Sequence, residues 1–127
     1  MEEALRLMRA GYLPEWKGGG SRGPGWFNVR WPDYDPRLHA ALEAALSIAG
    51  PDYDYLANYG HVQNRPVSSA SSEGLSTWFT YVIRGERFCT GHIEGFIQDG
   101  RLQEMFERLL EVVNDPSLEG ALGTLGE

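Results

Sequence analysis

Arg84-Gly-Glu-Arg-Phe-Cys-Thr-Gly-His92 gathers two guanidiniums, a carboxylate, a thiol and an imidazole into one short break between apolar-striped segments. Three kinds of chemistry fit those groups. Cys89 stands just ahead of an expected helix start, and the amide dipoles there, with Arg84 and Arg87 nearby, favour a nucleophilic sulfur. His92, three residues on, is spaced to serve as its base, and Glu86 and Glu94 are further acid–base candidates. The alternative for these groups is structural: Cys89 packs under Phe88, His92 caps a loop, Glu86 pairs with an arginine and Glu94 lies on a solvated face.

Anion binding asks for less special geometry. Free N–H groups at the start of a helix over 91–97 would project near Arg84 and Arg87, so Arg84, Arg87, Gly91 and His92 are the candidate ligand-binding residues for a phosphate or carboxylate. The same arginines could instead tie their loop to Glu86, Glu94 or helix C-terminal carbonyls. Cys89-x-x-His92 has the spacing of two zinc ligands, but a closed site needs two more donors, and only His39, His61 and scattered carboxylates remain. No metal is expected. No cofactor is expected either, since the glycine-rich run Lys17–Gly25 lacks the Gly-Lys-Ser/Thr ending of a phosphate-binding loop.

The elements that must hold this cluster are helical. Ala4, Leu5, Met8 and Tyr12 mark a first helix within residues 3–12, closed by Gly11 and Pro14. Residues 17–25 read as a flexible connector, and Trp26–Trp31, rich in aromatic and β-branched side chains, as one short strand or hairpin. Asp35-Pro36 is an N-cap followed by proline in the first turn, leading into a face of Leu38, Ala41, Leu42, Ala45, Leu46 and Ala49. Asp52–Tyr59 could form a short helical turn. After Ser71 or Ser72 as N-cap, Leu75, Trp78, Phe79, Val82 and Ile83 follow a full helical stripe running to Gly85. Thr90 is placed to cap a short helix carrying Ile93, Phe96 and Ile97. A last helix carries Leu102, Met105, Phe106, Leu109, Leu110 and Val113 as far as Asp115-Pro116. Trp78 and Phe106 are read as core. Trp16, Trp26, Trp31, Tyr53, Tyr55 and Tyr59 suit boundary packing or a cleft. The expectation is one mainly α domain over 1–127, a compact bundle of about five helices with a loose tail over 117–127.

Composition limits the partners. At 127 residues and 42 % hydrophobic content the chain can bury a core of its own, and its formal charge of −7 opposes generic nucleic-acid binding. No apolar run reaches membrane-spanning length, and Met1-Glu-Glu-Ala has no signal-peptide pattern. A single cysteine agrees with a reducing, cytoplasmic setting. Oligomeric state stays open, because the first helix could complete the core or pair with another copy.

The run Trp78-Phe-Thr-Tyr-Val-Ile-Arg-Gly-Glu-Arg-Phe-Cys-Thr-Gly-His-Ile-Glu-Gly-Phe-Ile-Gln-Asp-Gly-Arg-Leu102 resembles a family of small bacterial and phage proteins of unknown function. Its hallmark, Arg-Gly-Glu-Arg-Phe-Cys-x-Gly, stands here at 84–91, and Pro32–Leu46 loosely resembles an earlier section of that family. The resemblance implies a shared fold and no particular activity. Three roles follow as expectations: an interaction or small-anion-binding module; a small enzyme working through residues 84–94 on a phosphate- or carboxylate-bearing substrate; and an acidic, phage-type inhibitor of a host nucleic-acid-binding protein.

Overall fold

Helix α1 (Glu2–Arg9) turns Ala4, Leu5 and Met8 inward, and Tyr12, just beyond it, accepts a hydrogen bond from the Asp35 backbone N–H at 2.8 Å. The structure, a computed structural model, describes residues 1–18 and 30–115. Residues 19–25 of the expected connector, 26–29 of the expected strand and the 117–127 tail lie outside the described residues. Lys17 and Gly18, read from sequence as connector, belong instead to strand β1 (Glu15–Gly18). It pairs antiparallel with β2 (Arg30–Asp33), in the register Glu15 to Asp33 and Gly18 to Arg30.

Six α-helices and this hairpin make the described chain mainly α, as the apolar spacing predicts. Helix α2 (Pro36–Ala49) begins as expected, with the Asp35 carboxylate accepting from the Arg37 N–H at 2.8 Å. The turn expected over 52–59 becomes helix α3 (Tyr55–Val62). Asp52 anchors it: its carboxylate accepts from Asp54 N–H, from the Asn58 amide and from the Thr77 hydroxyl, joining the approach to α3 to the middle of α4. Helix α4 (Ser72–Gly85) is capped by Ser71, whose hydroxyl accepts from Gly74 N–H at 3.1 Å.

α4 is the hub of the fold, packing on α2, α3, α5 (His92–Gln98) and α6 (Arg101–Asn114). Leu75, Trp78, Phe79 and Val82 all point into one cluster of buried residues with Leu38, Leu42, Leu102, Met105, Phe106 and Leu109. Each large side chain removed from water there contributes about 1.5–3 kcal/mol before chain entropy is counted. Trp78 and Phe106 are core, at 2 % and 0 % exposure.

At the end of α6 the stripe takes Val112 inward and leaves Val113 at 47 % exposure, the reverse of the expected assignment. At about 100° per residue Val113 falls in line with Leu102 and Phe106, so helical spacing alone does not account for its exposure in the last turn of α6. Arg108, also on α6, is buried because its Nε–H donates to the Ala70 carbonyl at 2.8 Å, pinning the 3-10 turn Val67–Ser69 that leads into α4.

Candidate functional site

The elbow between α4 and α5 is built around the Glu86 carboxylate. One oxygen accepts from the Ile93 N–H at 2.8 Å and from the Tyr34 hydroxyl at 3.0 Å; the other accepts from the Gly91 N–H at 2.9 Å. The Tyr34 oxygen in turn accepts from the Glu94 N–H at 3.1 Å, and the Glu94 carboxylate accepts from the Trp16 indole N–H at 3.0 Å. Trp16 on β1, Tyr34 after β2, Glu86 after α4 and the first turn of α5 are therefore joined in one hydrogen-bonded chain. Burial, and next the Glu86 charge, push the Tyr34 phenol well above its ordinary pKa, so it stays a donor.

This arrangement replaces the expected cap. Thr90 does not start α5; Gly91 does, in the left-handed conformation with φ 87°, and Glu86 supplies the acceptors. Gly91 also lies against the Trp16 ring, whose nearest atom is 3.2 Å from where a Cβ would stand. A side chain at 91 would be strained by the dihedral and crowded by the indole. Among the described residues Glu86 thus pairs with no arginine, and Glu94 is half-buried under Trp16 rather than on a free face.

His92 turns inward. Its ring packs between Tyr81 and Phe96, with centroids 5.0 and 5.2 Å away, and its edge rests on the Cα of Gly85, where any β-carbon would overlap the imidazole. Nε2 is sealed from solvent without a hydrogen-bond partner among the described residues. Burial lowers the His92 pKa below its ordinary value, opposed in part by the Glu86 charge and a backbone hydrogen bond with Tyr81.

Cys89 is exposed, as is Phe88 at 83 %, so the thiol is not packed beneath the ring. No hydrogen bond joins Cys89 to the His92 side chain; only the His92 N–H meets the Cys89 carbonyl, at 3.0 Å. Arg84 stacks over the Tyr55 ring, 5.7 Å from its centroid. The four candidate ligand-binding residues therefore do not converge. Gly91 gives its N–H to Glu86, His92 is inserted between Tyr81 and Phe96, Arg84 covers the Tyr55 ring of α3, and Arg87 lines a cavity.

That cavity is a groove of about 500 Å³. Trp31, Pro32, Leu42, Ile83 and Ile93 form its apolar wall, while Tyr34, His39, Glu43, Glu86 and Thr90 complete it around Arg87. The Arg87 guanidinium makes no ion pair or hydrogen bond with any described residue. Trp31 is half exposed, and His39 meets Tyr34 edge-on at 6.4 Å. Sequence reasoning missed Tyr34, His39 and Leu42 as groove residues, because nothing near them in the chain signals the elbow they face. Among the described residues no group of three or more His, Cys, Asp or Glu side chains is arranged to hold a metal ion.

Residues 4–115 match the model of DUF6508, a family of unknown function. The chain belongs to that family. No curated protein and no solved structure matches it. The family match covers both the Glu86 elbow and the groove, so both fall within the family's own domain. No helix among the described residues is long and apolar enough to cross a membrane.

Proposed function

We propose that this member of DUF6508 is a protein-interaction module that docks a partner in the groove beside the α4–α5 elbow. One observation carries the reading: the Arg87 guanidinium, without a partner among the described residues, stands at the rim of an apolar groove, and the next residue, Phe88, is 83 % exposed. Exposed aromatic and arginine side chains beside a concave apolar wall are the usual anchors of protein contacts. The elbow beneath is rigidly hydrogen-bonded, which lowers the ordering cost of docking.

A small-anion pocket on the N-terminus of α5 is less well supported, because its early N–H groups are already in use. Gly91 and Ile93 donate to Glu86, His92 to the Cys89 carbonyl and Glu94 to Tyr34. An anion would have to rely on Arg87. The setting we assign is the cytoplasm of a bacterial or phage-infected cell, in keeping with the lone cysteine and the 84–91 signature.

The test is parallel purification of tagged wild-type, Arg87→Ala and Phe88→Ala proteins from the native cell, with thermal melts alongside. Loss of the same bound protein from both variants at unchanged melting temperature is expected. A partner held equally by all three contradicts the groove as its seat.

A further inference from the structure

We infer that the groove accepts a peptide segment in which an Asp or Glu lies close to an aliphatic or aromatic residue, the carboxylate meeting Arg87 and the apolar side chain lying against Trp31 and Ile83. This rests on the interaction reading and gives it a chemistry. A guanidinium has a planar fork matched to a carboxylate, and Arg87 has no such partner among the described residues. The wall beside it is apolar, and about 500 Å³ is room for a few side chains and not for a helix laid lengthwise.

The charges of the lining select among anions. Glu43 and Glu86 share the groove with Arg87 and repel any anion, a dianionic phosphate about twice as strongly as a singly charged carboxylate. A singly charged carboxylate needs one guanidinium. The Glu86 oxygens are turned to Tyr34, Gly91 and Ile93, which leaves Arg87 for the ligand. A formal charge of −7 on the whole chain argues against a nucleic-acid occupant. His39, edge-on to Tyr34 at the same groove, adds a second potential donor to an acidic side chain.

The probe is an array of octapeptides holding one Asp or Glu within three positions of one Leu or Phe. Matched peptides carry Asn or Gln, phosphoserine, or Lys in place of the acid. Binding is followed by the shifts of the Trp31 indole and Arg87 side-chain signals in NMR spectra of the full chain. The acidic set should bind about tenfold or more tighter than the amide set, and Arg87→Ala should erase that difference with the backbone spectrum otherwise kept. Groove binding without charge preference, or a preference for phosphoserine, overturns the carboxylate assignment and leaves the interaction reading standing. If no peptide of any set perturbs Trp31 or Arg87, both fall.

Discussion

Tyr34 donates its phenolic hydrogen to Glu86 at 3.0 Å across 52 positions of sequence, and the same Glu86 oxygen accepts the Ile93 N–H. That contact makes the elbow a tertiary object rather than a local turn. Hydrogen bonds to a charged acceptor contribute about 1.5–3 kcal/mol when they replace water, and deleting the acceptor leaves half-buried donors unmatched. Glu86→Gln should therefore destabilise the fold by about 1.5–3 kcal/mol, and Tyr34→Phe by about 1–2 kcal/mol. Because the two share one bond, their double mutant should lose less than the sum. Chemical denaturation of the four proteins measures this coupling; strict additivity contradicts the network.

Gly85→Ala sets two effects against each other. At the last residue of α4, alanine improves helix propensity by up to about 1 kcal/mol, but its β-carbon would overlap the His92 ring. The ring is locked by Tyr81 and Phe96, so overpacking wins and a net loss of about 1–3 kcal/mol is expected. In a His92→Ala background the clash is gone and the same substitution should stabilise. Melting curves in both backgrounds decide it, and a loss of equal size in each would rule out the ring as the cause.

His92 gives the fold an acid-sensitive point. Its neutral form is the one the packed state prefers, since burial holds its pKa below the ordinary value. A base depressed in the folded state contributes stability at pH above its unfolded pKa, about 6.5, and that contribution is lost as pH falls through the depressed folded value. Glu86 opposes this by favouring the cation, and Arg101 reinforces it. The melting temperature should fall as pH drops below about 6.5, and His92→Gln should flatten that limb. Asp35, held down to about 2 by Arg37, is lost only in a lower window, between the ordinary carboxylate range and about 2, and should titrate the same way in both proteins. Identical acid limbs in wild type and His92→Gln would remove His92 from the account.

The helices were legible because their information is local. Leu75, Trp78, Phe79 and Val82 repeat at helical spacing, and Asp35-Pro36 and Ser71 are caps whose bonds span two or three residues. β1 was not legible, since four residues pair with a strand beyond the glycine-rich connector and Trp16-Lys17 carries no alternation of its own. Local sequence points to Thr90 as the cap of α5, whereas the acceptor is Glu86, oriented by a tyrosine from before α2. Val112 and Val113 are both apolar, and only the packed core distinguishes them. At the site, Arg87 stands out by its residue type, but the groove it lines is assembled from segments around Trp31, Leu42 and Ile83 that no spacing rule brings together.

Arg87 should also be dispensable for the fold. Its side chain is exposed and unpaired among the described residues, so Arg87→Ala should change stability by less than about 0.5 kcal/mol. A large loss in a denaturant melt would mean that the guanidinium holds the elbow together.

Charge reversal at Arg87 should invert the charge preference of the groove. Affinities of wild-type and Arg87→Glu proteins for one apolar peptide in its Asp and Lys versions would be measured by calorimetry under identical salt. Wild type should prefer the Asp peptide and Arg87→Glu the Lys peptide, both by about tenfold or more. An unchanged preference for the Asp peptide after the reversal would contradict Arg87 as the carboxylate's partner.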